Sequence, residues 1–532
     1  MLFLMGASTG AAYAVSNPGI TDVKIAQQDG ACTGIVKDAT GETVIGASVV
    51  VKGTTNGTIT GIDGDFSLSN VKKGDVIVIS FVGYISQEIV WDGKPVNVTL
   101  KDDTQTLDEV VVVGYGTQKK VNVTGAVGMV DSKVIAARPV QNVSQALQGV
   151  IPGLNLTVGN SGGSLDGEMN INIRGTGTIG DGSGSSPLVL IDGIEGNLNT
   201  VNPNDIESVS VLKDAASASI YGARASFGVI LVTTKSGKSG KTNVNYSGNV
   251  RFNDAIGIPE LMDSYTFAQY FNRASSNRGG GDIFSPAVME RIKAYQEGTL
   301  TATTVDNGSG IWQKWANANG NTDWFGEFYD NWVPSQEHNL SISGGTEKLQ
   351  YVLSGSFLDQ KGLLRHGTDK FQRYTLNSKI TANITDWLKV TLNSKWTRED
   401  FQRPTYLTSS FFHNLARKWP VHPAYDPNGF PMDEGEIEQM ENGGEQNSQK
   451  DYYTNQLHVV IEPIKNWRIN LEGSVRTTTQ YQHWEVLPVH AYDVNGDPYY
   501  TVWDMGYGSY SAGSSRVDEY SWKENYYTTN IY

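Results

Sequence analysis

A mainly β protein is what the sequence predicts: a small β-sandwich, then an α+β domain, then the first strands of a large transmembrane β-barrel. Three observations carry this. Past residue 240 the apolar residues recur with period two over runs of ten or more residues, longer than the usual strand of five or six. The aromatic residues are unevenly divided, with 11 of the 12 Trp, 21 of the 25 Tyr and 12 of the 16 Phe after residue 240. Trp and Tyr suit a membrane–water boundary because one end of the ring is apolar and the other can hydrogen-bond. Before residue 100 the pattern differs, with short β-rich runs closed by Gly and Asn-Gly or Asp-Gly turns.

The bulk properties narrow the field. Net charge is −15 over 532 residues, which argues against a nucleic-acid partner, since phosphate contacts need clustered Lys and Arg. No run approaches 18 apolar residues, so a membrane would be crossed by strands or not at all. Residues 1–14 end on Ala12, Tyr13 and Ala14, a small-x-small pattern that suits signal peptidase. The apolar run Leu2–Met5 is short and no Lys or Arg precedes Lys24, so this segment is expected to be a signal-peptide remnant. Cys32 is the single cysteine, which excludes an internal disulfide.

In chain order, 31–100 reads as the sandwich, with runs at Thr33–Val36, Ala47–Lys52, Phe66–Leu68, Val76–Phe81 and Val96–Leu100. Asp63 and Asp65 sit in a turn and lack the further carboxylates a calcium loop needs. Residues 101–120 form a linker around Val110, Val111, Val112 and Val113. Residues 121–240 alternate short strands with Gly-rich loops and one helical stretch near Asp214–Tyr221. From 241 to 532 about eight long strands are expected, near 242–253, 337–344, 348–358, 371–384, 387–398, 452–462, 467–481 and 519–532. In 386–398, for example, Leu388, Val390, Leu392 and Trp396 alternate with Lys389, Thr391, Asn393 and Lys395. Segments 254–334 and 399–450 are expected to be long polar external loops, with the acidic stretch 431–450 solvated.

Several motifs fail on context. Gly175, Gly177 and Gly180 spell G-x-G-x-x-G, but DGSGSSP (181–187) cannot supply the helix that a dinucleotide site requires. Gly237-Lys238-Ser239 mimics a P-loop end, yet Val232 stands where its first Gly belongs. The seven His show no metal spacing, and no Ser/His/Asp or Cys/His set converges on a nucleophile. His458 shares a strand face with Gln456 and Glu462, as a lumen-facing polar residue would. Neither catalysis, a cofactor nor a metal is expected.

The residues IPGLNL (151–156), MNINIRGTG (169–177), PLVLIDGI (187–194) and DIESVSVLKDAASASIYGARASFGVILVTTK (205–235) together resemble the plug domain of TonB-dependent receptors of the SusC/RagA type. GASVVVKGTTNGTITGIDGDFSL (46–68) resembles a carboxypeptidase-regulatory-like domain. TDWFGEF (322–328), EHNLSISGGTEKLQYVLSGSFLDQKGLL (337–364) and ITDWLKV (384–390) look like the first barrel strands of that family.

The resemblance implies import of a large nutrient, an oligosaccharide or a peptide, across a Gram-negative outer membrane of the Bacteroidetes type. It implies as partners TonB with ExbB–ExbD, a SusD-like surface lipoprotein and outer-membrane lipid, with plug and sandwich on the periplasmic side. LDEVVVV (107–113) resembles the TonB box, which would make Asp108, Glu109 and Val110–Val113 the TonB-binding residues. An extended β-prone strand on a tether can add to the edge of another protein's sheet. Arg174, in an I-R-G motif, is expected to anchor plug to barrel by pairing with wall carboxylates. A plug of about 120 residues needs a barrel near the 22-stranded class, since eight strands enclose only side chains. The chain is accordingly expected to be a fragment. A surface adhesin or structural protein, a siderophore-type receptor and a hydrolase accessory remain as alternatives. A TonB box argues against the adhesin, and the lack of zinc ligands in 31–100 argues against the hydrolase.

Overall fold

Residues 30–81, 84–101, 110–113, 116–119, 126–138, 140–158, 164–175, 186–501, 503–504, 509–510 and 513–532 are described by a computed structural model. The signal-like residues 1–14, with Asp108 and Glu109, lie outside them. The chain divides into two units, 1–109 and 110–532.

In the first unit, alternating small and β-branched residues form two facing sheets. One has the order β4 (Asp65–Val71), β1 (Gly30–Lys37), β7 (Val96–Thr99). The other runs β3 (Gly57–Ile59), β2 (Ser48–Val51), β5 (Val76–Ser80), β6 (Gln87–Val90). Between them lie Cys32, Val36, Val49, Phe66, Ile77, Ile79, Trp91 and Leu100. Cys32 is a buried free thiol. Gly34 is required where β1 meets β7, because a Cβ there would stand 1.9 Å from the Val96 carbonyl oxygen.

The second unit begins with a hairpin of β8 (Val110–Val113) and β9 (Gly116–Lys119). A five-stranded mixed sheet follows, ordered β10 (Val127–Asp131), β15 (Ile206–Leu212), β16 (Val229–Thr234), β13 (Leu188–Ile191), β14 (Ile194–Glu195). Helices α1 (Ser132–Ala136) and α2 (Val143–Leu147), and the hairpin β11 (Leu154–Val158)–β12 (Met169–Ile173), pack on it. Ile135, Leu147, Val209, Val211 and Ile230 are fully buried in their shared core. Asp214 caps the short helix α3 (Ala215–Ala218) by accepting from the Ser217 N–H at 2.8 Å. Burial is outweighed there by those hydrogen bonds, Ser217 first, and the Asp214 carboxyl is held down to about 2.

Eight antiparallel strands then wind in sequence order: β17 (Gly240–Asn253), β18 (Val333–Gly345), β19 (Leu349–Lys361), β20 (Lys370–Thr385), β21 (Leu388–Pro404), β22 (Glu445–Ile464), β23 (Trp467–Val486) and β28 (Arg516–Ile531). Short pairs β24 (His490–Tyr492)–β25 (Pro498–Tyr500) and β26 (Trp503–Asp504)–β27 (Ser509–Tyr510) lie in the last connection. The turns at one end are tight, at 346–348, 386–387 and 465–466. At the other end three of the four connections are long, at 254–332, 405–444 and 487–515, beside a shorter one at 362–369. Such asymmetry is the pattern of outer-membrane barrels, with short periplasmic turns and long external loops.

The two faces of this sheet invert the usual soluble rule. Tyr246, Leu340, Gly355, Leu376, Trp396 and Tyr453 follow one another directly across the strands on the outer face. Of these, Tyr246 and Leu376 are 63% and 57% exposed. The inner face instead buries Arg373, Thr375, Asn393, Thr397 and Gln456. Apolar side chains outward and polar ones inward suit lipid on one side and a hydrated lumen on the other. No helix among the described residues is long and apolar enough to cross a membrane.

The long connections differ from expectation. They are folded, and helices α4 (Ser264–Asn277), α5 (Pro286–Gln296), α6 (Trp324–Phe328), α7 (Ser409–Ala416) and α8 (Ile437–Asn442) enclose two apolar cores. Trp324, Phe328 and Phe411 are fully buried in one, Phe284 and Ile292 in the other. The acidic stretch 431–450 is not a solvated loop: Glu436 and Glu438 are buried. The connection 405–444 is joined to the other two, since Asn428 donates to the Val494 carbonyl at 3.2 Å and the Val494 N–H to that of Gly310 at 3.0 Å. Three connections thus form one cap.

Candidate functional site: the plug seated on the sheet

The mixed sheet and its helices sit against the inner face of strands β18 to β28, and one carboxylate dominates the contact. In PLVLIDGI, Ile191 and Ile194 pair across a two-residue turn, so Asp192 and Gly193 take left-handed backbone with φ of 51° and 86°. This turn drives the Asp192 carboxylate into the sheet wall. Its Oδ1 accepts from the Thr234 N–H at 2.9 Å and from Lys379 Nζ at 3.4 Å. Its Oδ2 accepts from Thr234 Oγ1 at 2.7 Å, from Asn393 Nδ2 at 3.0 Å and from Lys395 Nζ. Gln456 donates to the Asp192 carbonyl at 3.0 Å. Burial by itself would raise the acid's pKa. The Lys395 and Lys379 ammoniums outweigh it and hold the carboxyl far below the ordinary range, so Asp192 is ionised.

Further contacts spread along the wall. Buried Arg373 forks onto two plug backbone carbonyls, donating to Asn199 at 2.6 Å and Gln141 at 2.5 Å. Thr397 donates to the Thr200 carbonyl at 3.0 Å. Asn202 and Asn339, both buried, bond side chain to side chain at 2.7 Å. Arg476 donates to the Glu195 carbonyl. Above these a cavity of about 540 Å³, lined by both polar and apolar side chains, separates plug from wall along β20 to β23 and β28.

Arg174, the expected anchor, lies elsewhere. It follows β12 with φ of 60° and is exposed; its N–H donates to the Gly153 carbonyl at 2.8 Å. The carboxylate that feels its charge is Asp214, within the plug itself. Among the described residues it forms no ion pair with the eight strands, and the carboxylate of Asp192 is what meets their cations. Of the TonB-box residues, Val110–Val113 form β8, paired on one edge to β9, while Asp108 and Glu109 fall outside the described residues. Sequence reasoning missed Asp192, Lys379, Lys395 and Gln456 as partners, although each was visible: a lone carboxylate closing an apolar strand, and polar residues on the lumenal stripe.

On the cap, buried His422 lies between the rings of Trp315 and Trp324, with centroids 4.5 and 5.9 Å away. Its Nδ1 accepts from the Trp315 N–H at 3.4 Å and its Nε2 faces the Asp433 carbonyl at 3.1 Å. Burial, then the Lys418 and Lys314 ammoniums, push it well below the usual histidine range. Lys314 is itself paired to Asp433 and Glu434, and Lys418 to Glu436. The unfolded chain takes a proton on this histidine below about pH 6.5 whereas the folded cap does not. Cap stability is therefore full above that pH and falls as pH drops. Protection factors at 419–424, taken relative to intrinsic exchange at each pH, should fall between pH 7 and 6, and His422→Gln should flatten that slope.

A plug docked by ionic and amide contacts on the inner face of an outward-apolar meander places the chain among plug-and-barrel outer-membrane receptors. Residues 119–229 match the TonB-dependent receptor plug domain and residues 32–112 the CarboxypepD_reg-like domain. The chain is 37% identical to the TonB-dependent receptor SusC of Bacteroides thetaiotaomicron, across 68% of this chain and 33% of that protein. It is 33% identical to the TonB-dependent receptor P39 of Formosa agariphila, across 73% and 34%. Among solved structures it resembles the RagAB peptide importer in its open-open state, with a TM-score of 0.57 at 25% identity, covering 71% of this chain and 43% of that one. The chain belongs to the SusC/RagA-type TonB-dependent receptors. It spans about a third of the length of the curated relatives it matches.

Proposed function

We propose that the receptor to which this chain belongs imports a large nutrient, an oligosaccharide or a peptide, across the outer membrane. TonB with ExbB–ExbD powers it, a SusD-like lipoprotein serves it from the cell surface, and plug and sandwich lie on the periplasmic side. The observation that carries this reading is the plug's seat: a folded domain held in a barrel lumen by polar contacts can be shifted by a pull, whereas an apolar interface would have to expose its core to move. The place for that pull is the segment Asp108–Val113 ahead of the plug. There β8 keeps one edge unpaired among the described residues, as strand addition by TonB requires. Transport, not catalysis, is the activity.

The test is a full-length receptor carrying Val111→Pro and Val112→Pro. Proline at both positions removes a backbone donor on each edge of β8, whichever edge strand addition uses. Energised uptake of the cognate nutrient should fall to background with surface binding retained; normal growth on that nutrient refutes the assignment.

A further inference from the structure

The outer face of the eight strands changes character along their length. At the level of Leu376, Trp396 and Tyr453 it is apolar and carries a groove of about 330 Å³, bounded by those side chains and Leu353, with Ser378 in its lining. Toward the long connections this band ends on a row of fixed side chains. Trp396 donates to Asp451 at 3.0 Å, and Arg398 forks onto the same carboxylate at 2.9 and 2.8 Å. Phe357 and Tyr374, with ring centroids 5.1 Å apart, stand in register with them. Rings with a polar edge turned toward such a row mark a lipid–water boundary. Beyond it lies a second groove, of about 410 Å³, lined by Lys370, Gln372, Gln402, Asn447, Gln449 and Tyr481. On β20 and β22 it sits four residues from the first, about 13 Å at the usual strand rise. Its amides are held by carboxylates of the same face: Gln372 donates to Asp359 at 2.8 Å, Gln449 to Asp400 at 2.9 Å and Gln402 to Glu445 at 2.7 Å. Each pair leaves amide and carboxylate oxygens as acceptors in set positions. The Lys370 ammonium lies 3.4 Å from Asp359, so one cation stands among three carboxylates. That charge repels a phosphate and welcomes hydroxyl donors.

We propose that the two grooves together hold one glycolipid of the outer leaflet, an acyl chain in the apolar groove and the sugar hydroxyls of its headgroup on the amide–carboxylate pairs. The proposal rests on the outer-membrane placement above, with the long connections outside, and not on import. For the test, full-length receptor purified in detergent is mixed with lipopolysaccharide stripped of its phosphates, and bound lipid is counted by native mass spectrometry. Wild type should retain it at concentrations that leave phosphatidylglycerol unbound. Gln402→Ala/Gln449→Ala should lower retention fivefold or more, with heat-modifiable migration on gels unchanged. Ser378→Phe, which fills the apolar groove and leaves the amides intact, should lower it as well. Nutrient uptake by both variants should stay normal, which separates this face from the import reading. Equal retention by wild type and variants, retention that needs the headgroup phosphates or a divalent cation, or a receptor dimer that both variants dissociate in the absence of lipid overturns the site. Recovery of the wild-type receptor outside the outer-membrane fraction refutes the placement, and the site with it.

Discussion

Replacing Asp192 by Ala in the full-length receptor is expected to weaken plug seating by about 3–5 kcal/mol, the cost of leaving buried charge uncompensated. Lys379 and Lys395 are largely buried, and both direct their ammoniums at this carboxylate. Without it they face each other with the Thr234 carbonyl and hydroxyl near Lys379 as substitute acceptors. Alanine also disfavours the left-handed backbone at φ 51°, adding about 1 kcal/mol. Asp192→Asn separates the two effects, since Asn tolerates that conformation and still accepts one hydrogen bond. Its loss should fall between wild type and Ala. Hydrogen exchange over 188–195 and 229–234 reads the result, and unchanged protection in the Ala variant removes Asp192 from its role as anchor.

Much of this fold could be read from the residues, for a physical reason. A barrel strand faces lipid on one side and water on the other, so the alternation in 373–384 or 467–476 is enforced on both faces. Eight strands were expected and eight are present. Their outer ends were not legible. β22 starts at Glu445, where EQNSQKDY has no apolar stripe because that part of the strand faces the cap and the lumen. The acidic stretch 431–450 misled because charge density usually marks solvation; here buried carboxylates are matched by buried cations. Asp192, the anchor to these eight strands, was missed for a related reason. Arg174 carries the conspicuous charge in its motif, but a residue's reach is set by the turn it sits in. The Asp-Gly turn at 192–193 aims a short side chain at the wall, whereas the strand end at 174 leaves a long one in solvent. Pairing across 187 residues of sequence, as between Asp192 and Lys379, leaves no local signal.

Glu436 should prove as costly to the cap as Asp192 is to the plug. It sits at φ 70° ahead of α8, and its carboxylate gathers three donors: Lys418 Nζ at 2.9 Å, Tyr406 Oη at 2.8 Å and Asn414 Nδ2 at 2.9 Å. Lys418 is buried, 4.9 Å above the Trp324 ring, and its ammonium also donates to the Glu434 carbonyl at 2.9 Å. Burial pulls the Lys418 pKa down and Glu436 opposes this. Removing the acid leaves an ammonium inside the core that joins α6, α7 and α8. Glu436→Ala should therefore cost about 3–5 kcal/mol of cap stability. The double variant Lys418→Met/Glu436→Gln takes away the stranded charge and keeps an acceptor for Tyr406 and Asn414. It should recover more than half of that loss, so the pair shows a coupling energy well above the few tenths expected of independent sites. Because Asn428, Val494 and Gly310 link the three connections, protection should fall together at 310–315, 424–430 and 490–496 in the Ala variant. Loss confined to 431–445 would mean that the connections move separately. Loss of less than 1 kcal/mol would mean that Lys418 finds water or another acceptor, and that the buried pair does not hold the cap together.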